Sequence, residues 1–125
     1  MKKEDMIDAA TAISGSGPAY IFYDMEVKKY DPENLPESAR ESYVKNLTRA
    51  AEGVGFDHEL AVDLAVSTTG SSARLAMITS PAELRKQVTS PGGTTEAAIK
   101  VLEKNGSWEE AAEAALKRAK ELSRK

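Results

Sequence analysis

The segment Val88-Thr89-Ser90-Pro91-Gly92-Gly93-Thr94-Thr95 stands at the centre of this sequence. Pro91 removes one backbone donor, and the two glycines can take backbone angles that are closed to other residues. The two threonines can cap a helix that begins with Glu96. Such a loop delivers unpaired N–H groups to a helix start, where they can hold a carboxylate or a phosphate. An ordinary helix-starting turn explains the same residues and, on chemistry alone, is favoured over an anion site.

Length and composition bound the kind of protein. The 125 residues fit one domain with a real core, beside which a second domain of ordinary size would not fit. No cysteine and a single histidine, His58, exclude disulfides, thiol catalysis and most metal sites. A net charge of −3 without a basic stripe argues against a nucleic-acid partner. With no apolar run of membrane-span length and no signal-peptide core, we expect a cytoplasmic protein without a membrane partner.

Apolar spacing and capping signals predict helices along the chain. Their expected spans are 4–13, 18–27, 37–54, 58–79, 81–87, 95–106 and 108–122. Asp57, Ser80 and Ser107 are the expected N-caps, and a glutamate three residues after each serine favours reciprocal capping. No segment predicts a strand, so we expect an all-α fold.

Two segments interrupt the helical pattern. Ser14-Gly15-Ser16-Gly17-Pro18 is expected to break the first helix, with Ser16 or Gly17 capping the next one. Tyr30-Asp31-Pro32-Glu33-Asn34-Leu35-Pro36 contains two prolines and is expected to be a loop.

The middle of the 58–79 helix consists of small residues, Ser67-Thr68-Thr69-Gly70-Ser71-Ser72-Ala73. Small side chains allow close backbone approach, so this segment is expected to cross another helix tightly. A weak helix that kinks here is the alternative. Among the aromatic residues, Trp108 is expected to anchor the last helix, whereas Tyr20 and Tyr43 are interpreted as packing residues with solvated hydroxyls.

Two stretches resemble a known family. Residues 5–20 (DMIDAATAISGSGPAY) and residues 87–95 (QVTSPGGTT) closely resemble the C-terminal half of pyrroline-5-carboxylate reductase. In that family the first motif opens the dimerisation domain and the second is its signature, and both occur here in the family's order. Residues 84–87 and 98–103 also resemble the family, so the resemblance covers nearly the whole chain.

The resemblance implies a helical dimerisation domain similar to the C-terminal domain of 6-phosphogluconate dehydrogenase. Its long helices would interlock with those of a second subunit in a homodimer or higher oligomer, so that neither subunit buries its core alone. The family reduces the C=N bond of 1-pyrroline-5-carboxylate to give L-proline in proline biosynthesis. The hydride comes from NADPH or NADH held on an N-terminal Rossmann domain.

The resemblance also implies roles for particular residues. The substrate carboxylate and ring would be held by Ser90, Gly92, Gly93, Thr94 and Thr95. Thr95 matches the threonine with a hydrogen-bonding role at the ring nitrogen and is the candidate catalytic residue. The nicotinamide end of the cofactor would lie beside Ser14, Gly15, Ser16, Gly17 and Pro18.

Two features depart from the family pattern. Gly15-Ser16-Gly17-Pro18-Ala19-Tyr20 has a tyrosine at the third glycine position and follows no predicted strand, so the dinucleotide fingerprint is absent. We therefore expect this chain alone to bind no NADPH or NADH, and a separate Rossmann domain is a possible partner. The second departure lies at about residues 28–42, where the family implies one uninterrupted helix and the prolines indicate an insertion.

Three hypotheses about function follow. The leading one is an isolated dimerisation and substrate-binding domain of the reductase, inactive without a dinucleotide-binding domain. In the second, the loop at residues 90–95 binds proline-like carboxylates without chemistry. In the third, the chain is a non-catalytic helical oligomerisation module.

Overall fold

The computed structural model describes residues 3–123, which form seven α-helices and no strand. Two short elements accompany them: a π-helical turn at Thr11–Gly15 and a 3-10 turn at Pro32–Asn34. The α-helices are α1 Lys3–Ala10, α2 Gly17–Lys28, α3 Glu37–Gly53, α4 His58–Ala76, α5 Pro81–Val88, α6 Thr94–Glu103 and α7 Trp108–Ser123. The all-α prediction is thus confirmed, and the predicted domain boundaries at residues 1 and 125 lie outside the described residues.

The predicted N-caps start three of these helices. Asp57 Oδ1 accepts from the Leu60 N–H at 2.9 Å, and Ser80 Oγ accepts from the Glu83 N–H at 3.3 Å. Ser107 and Glu110 form the reciprocal pair, with 3.1 Å from the Glu110 N–H to Ser107 Oγ and 3.0 Å from the Ser107 N–H to Glu110 Oε1. These bonds satisfy N–H groups that helix geometry leaves unpaired.

The predicted break at residues 14–18 is wrong, because the backbone stays helical there. Instead of a loop, the chain continues from α1 through the π-helical turn, in which the Ser16 N–H donates to the Thr11 carbonyl at 2.9 Å. Ser16 occupies the N-cap position of α2 but makes no side-chain cap bond. Pro18 lies within the first turn of α2, as predicted, where its missing N–H has no helical partner to lose. The hydroxyl of Ser16 is consequently available for another contact.

The predicted loop at Tyr30–Pro36 does separate α2 from α3. Helix α2 ends at Lys28, and its C-cap residue Lys29 has a left-handed backbone with φ of 56°. Asp31 Oδ1 then accepts from the Glu33 N–H at 3.0 Å and begins the 3-10 turn. The uninterrupted helix implied by the family resemblance is therefore absent between Lys28 and Glu37.

Helix packing closes a core within one chain. α3 packs against α4 and α7, α6 packs against α7, and α2 packs against α5. Several large side chains of the core are almost completely buried: Tyr20 and Leu47 have no exposed surface, and Phe22 is 1% exposed. A core is thus buried within the described residues of one chain, and the implied interlocking of helices with a second subunit stays a prediction.

Trp108 anchors α7 as predicted. Its ring meets Tyr20 edge-on at 5.9 Å between centroids and stacks on Tyr43 at 5.6 Å. The prediction of solvated tyrosine hydroxyls is wrong: Tyr20 donates to the Ala12 carbonyl at 2.8 Å, and Tyr43 donates to Asp24 Oδ2 at 2.7 Å. Burial raises the pKa of both phenols, and the neighbouring Asp24 carboxylate raises that of Tyr43 further.

The prediction for the small residues of α4 holds for one face of the helix, because Ser67 and Ser71 are exposed while most of the others pack inward. Thr68, Thr69 and Ser72 are buried, and a Cβ added at Gly17 of α2 would lie 3.5 Å from Thr68 Cγ2 and 3.3 Å from Leu47 Cδ2. Such spacing leaves little room for a larger side chain at Gly17. No helix within residues 3–123 is long and apolar enough to cross a membrane.

Candidate functional site

The loop between α5 and α6 is a tight turn. The Gly93 N–H donates to the Ser90 carbonyl at 3.0 Å, which closes a four-residue turn with Pro91 and Gly92 in its centre. Gly92 has φ of +71°, and proline followed by a residue with positive φ is the pattern of a type II turn. The glycine at this position is therefore required by the backbone, as the sequence predicted.

Two side chains hold Gly92 from outside the turn. Arg118 on α7 donates from Nε to the Gly92 carbonyl at 2.7 Å. The Gly92 N–H donates to Glu96 Oε1 at 3.2 Å, and Glu96 also lies 3.6 Å from Lys100 Nζ. A carboxylate of the chain itself thus meets one N–H of the loop.

Helix α6 begins without a side-chain cap. Gly93 is its N-cap residue, and the predicted capping by Thr94 or Thr95 is wrong because both threonines lie inside the first turn. The first N–H groups of a helix have no partner within the helix, so the N-terminal turn of α6 keeps the donors and positive dipole expected of an anion site. Thr95 is buried, and Thr94 is partly exposed.

The threonine hydroxyls instead meet Ser16. Thr95 Oγ1 donates to Ser16 Oγ at 3.1 Å, and Ser16 Oγ lies 3.0 Å from Thr94 Oγ1. Ser16 has no exposed surface, and Thr95 is 5% exposed. Three hydroxyl groups from two distant motifs are thus joined beneath the start of α6.

A pocket of about 410 Å³ lies over this arrangement. Its walls are Val88, Ser90, Pro91, Gly92, Gly93, Thr94, Thr95 and Leu122. All five residues predicted to bind substrate line it, and its volume lies within the range of small-molecule sites. The pocket combines a helix N-terminus, hydroxyl groups and two apolar side chains, which suits a small ring that carries a carboxylate.

The predicted cofactor-adjacent residues do not share one environment. Ser16 alone has a described bond to the loop, whereas Ser14 and Pro18 line a separate pocket of about 240 Å³ with residues of α4. Gly15 is exposed, and Gly17 packs against Leu47 and Thr68.

Arg118 is the site residue that the sequence did not reveal. It lies 26 residues after Gly92 on the last helix, within a basic stretch that is ordinary for a helix C-terminus. Neither spacing nor motif marks it, because the contact arises only when α7 packs against α6.

The described residues alone do not form a dinucleotide-binding site of the Rossmann type. A Rossmann-type site lies at the carboxyl ends of parallel strands, and residues 3–123 form none. The same residues contain no cluster of three or more histidine, aspartate or glutamate side chains able to hold a metal ion.

The fold and the family comparison define a helical dimerisation domain. Residues 42–122 match the family model described as pyrroline-5-carboxylate reductase dimerisation, and the chain belongs to this family. It is similar to the pyrroline-5-carboxylate reductase of Pseudomonas aeruginosa, with 41% identity over 96% of this chain and 39% of the relative. The Arabidopsis thaliana reductase is 39% identical over 96% of this chain and 38% of its own length.

Pyrroline-5-carboxylate reductase 2 of Bacillus subtilis is 35% identical over 87% of this chain and 33% of the relative. The chain thus spans between about a third and two fifths of the length of these curated relatives. No solved structure matches it.

Proposed function

We propose that the pocket over Ser90–Thr95 binds the carboxylate and ring of 1-pyrroline-5-carboxylate, and that this chain is the substrate-binding and dimerisation part of a reductase. The observation that carries the proposal is the linkage of Ser16 to Thr94 and Thr95 beneath an uncapped helix start. The relatives are named for a reductase of this imine acid, which supplies the ligand.

The charges and hydrogen-bonding groups of the pocket suit that ligand. The N-terminal turn of α6 supplies N–H donors and a positive dipole for the carboxylate. Val88 and Leu122 line the pocket and would supply apolar contacts for the ring carbons. Thr95 also lines the pocket and would contact the ring nitrogen. Thr95 would act as the residue that contacts the reacting C=N bond.

Hydride transfer requires a nicotinamide held against the imine, and that group would come from a dinucleotide-binding domain outside the described residues. The segment Ser14–Pro18 would border it, since Ser16 already reaches the loop. In this proposal the chain alone does not reduce the imine. It would act with a Rossmann domain in the cytoplasm as a homodimer or larger assembly.

Binding is tested by NMR titration of the chain with L-proline, the expected product. We expect chemical-shift changes that saturate at Gly92, Gly93 and Thr95. A Thr95→Val variant keeps the shape of the side chain and should bind several-fold more weakly, whereas Thr48→Val, which removes a hydroxyl bonded only to the Val44 carbonyl, should bind as the parent does. Absence of any shift at the loop at high ligand concentration contradicts the proposal.

The need for a cofactor domain is tested by activity. The chain alone should give no NADPH- or NADH-dependent reduction of 1-pyrroline-5-carboxylate, and turnover by the pure chain contradicts this part of the proposal. Addition of a separate Rossmann domain that binds NADPH is the complementary measurement, and it should give turnover that neither part gives alone.

An oligomerisation role without ligand binding is the second candidate, and a specific surface favours it. Large apolar side chains are exposed along α4 and just after it, namely Leu60, Val66, Leu75, Met77 and Ile78. Ile78 is 83% exposed. Sedimentation decides whether the chain self-associates: a stable monomer removes the oligomerisation role, and a dimer without affinity for L-proline favours it alone.

The domain organisation is proposed in the same way. Residues 1–125 would be one domain with an insertion at about residues 28–42. The family match begins at residue 42, where this insertion would end, and the 3-10 turn at Pro32–Asn34 lies inside it.

A further inference from the structure

The hydroxyl of Ser16 is placed between those of Thr94 and Thr95. It is fully buried and lies 3.0 Å from Thr94 Oγ1 and 3.1 Å from Thr95 Oγ1. A hydroxyl group carries one proton and two lone pairs, so the direction of one bond limits the direction of the next.

The geometry gives a direction to one of these two bonds. Thr95 donates its hydroxyl proton to Ser16 Oγ. Between Ser16 Oγ and Thr94 Oγ1 either group can be the donor. The proton of Thr95 is committed to Ser16 in both cases, because Ser16 Oγ has two lone pairs.

The direction of this bond decides what Thr95 can offer a ligand in the pocket. Thr95 has its proton committed to the buried Ser16 hydroxyl and presents lone pairs, so it can accept a hydrogen bond but has none to give. A ligand nitrogen opposite Thr95 must therefore carry a proton.

We infer that Ser16 is a positioning residue that fixes the direction of the Thr95 hydroxyl, so that the pocket selects a ring nitrogen that carries a proton. The inference rests on the proposed function, because it assumes that an imine acid occupies the pocket. Of the two forms of that acid, the iminium has an N–H to donate to Thr95, and the neutral imine has only a lone pair. The iminium is also the form that accepts hydride more readily, because its carbon is more electron-poor.

The backbone keeps Ser16 in place. Its N–H is bonded to the Thr11 carbonyl at 2.9 Å, and its own carbonyl accepts from the Ala19 N–H at 3.0 Å. The residue is therefore held from both sides at the junction of the π-helical turn with α2. Its hydroxyl has little freedom to leave the two threonines.

The inference is tested by NMR titration with two probes at two pH values, one below and one above the ionisation of the imine nitrogen. The probes are 1-pyrroline-5-carboxylate and L-proline, whose ring nitrogen stays protonated at both pH values. In the parent chain, affinity for the imine acid should fall about tenfold when its nitrogen loses the proton. Affinity for L-proline should stay the same.

Two variants separate positioning from simple stability. Ser16→Ala leaves the Thr95 hydroxyl free to rotate and donate, so the pH dependence for the imine acid should shrink to about twofold or less. Thr95→Val removes the hydroxyl from the pocket and should also remove that dependence. Thr11→Ala deletes a nearby hydroxyl that bonds only to the Ile7 carbonyl, and it should keep the parent's pH dependence.

The outcomes distinguish this inference from the proposed function. If L-proline does not bind the parent chain, both are overturned. If L-proline binds but the imine acid binds equally at both pH values, the inference alone is overturned. It is also overturned if Ser16→Ala, or Thr95→Val should the former fail to fold, keeps the full tenfold dependence.

Discussion

Arg118 on the last helix donates a hydrogen bond of 2.7 Å to the carbonyl of Gly92, 26 residues earlier in the chain. Gly92 is the residue with a left-handed backbone in the loop, so the arginine fixes the point of the turn with the fewest conformational restraints of its own. The shape of the candidate site thus depends on how α7 packs, although the pocket is formed chiefly by the loop.

Loss of this contact should loosen the loop. Arg118→Met should lower affinity for L-proline several-fold and reduce the free energy of unfolding by about 1 kcal/mol, because one hydrogen bond to a charged donor is removed. Calorimetric titration and thermal unfolding measure the two effects. Lys117→Met makes the same change of charge at an exposed neighbour and should change neither, so an equal effect of both substitutions contradicts a specific role for Arg118.

Gly92 should not tolerate a side chain. With φ of +71°, Gly92→Ala should destabilise the chain by about 1 kcal/mol and weaken ligand binding, because alanine is strained in the left-handed region. Gly53→Ala is the matched control: a Cβ there meets no atom within 4 Å, so it should be neutral or slightly stabilising. Urea unfolding of both variants compares them, and equal stability of the Gly92→Ala and parent chains would refute the requirement.

The capping pair of α7 should make stability depend on pH. Bonds from the backbone N–H and the hydroxyl of Ser107 lower the pKa of the Glu110 carboxyl below its usual value. The stabilisation is therefore present above the unfolded-state pKa and is lost as pH falls through the lower folded-state pKa. Melting temperatures should show Glu110→Gln below the parent at pH 7, with the difference shrinking below about pH 4. A difference that stays constant with pH would contradict this account.

Self-association should depend on the apolar surface of α4. Leu75→Glu combined with Ile78→Glu should shift a dimer toward monomer in sedimentation velocity, because a charged group at a buried interface is costly. Both side chains are exposed in the single chain, so the helical circular-dichroism signal should stay unchanged. Glu59→Gln, a charge change at the start of the same helix, is the control. If the double variant remains dimeric, the dimer interface does not lie on this surface of α4, and the prediction is contradicted.

Much of the fold was predictable from local chemistry. The caps Asp57, Ser80 and Ser107 and the two-proline break gave most helix boundaries, because these signals act within three or four residues. The π-helical turn was not predicted. Ser14-Gly15-Ser16-Gly17-Pro18 has the composition of a loop, whereas the folded backbone continues there as a π-helical turn that packs against α7.

The candidate site was likewise predictable only in part. The turn at Ser90–Gly93 follows from its proline and glycines. The segment at residues 14–18 was assigned to the site only through the family resemblance. The bonds from Ser16 to Thr94 and Thr95 join residues more than 75 positions apart in the sequence. The Arg118 contact likewise depends on which faces of the helices meet, and no local signal encodes that.

The number of residues in the π-helical turn matters for the candidate site. Each residue of an α-helix advances about 100° around its axis, so a turn with one more residue than an α-turn changes the direction of everything after it. Deleting one residue between Thr11 and Gly15 would restore a regular helix and rotate Ser16 away from the loop, with its identity unchanged. In this chain, the number of residues in the π-helical turn sets the direction of the Ser16 side chain. A change in that number would break its bonds to Thr94 and Thr95 as completely as a substitution of Ser16.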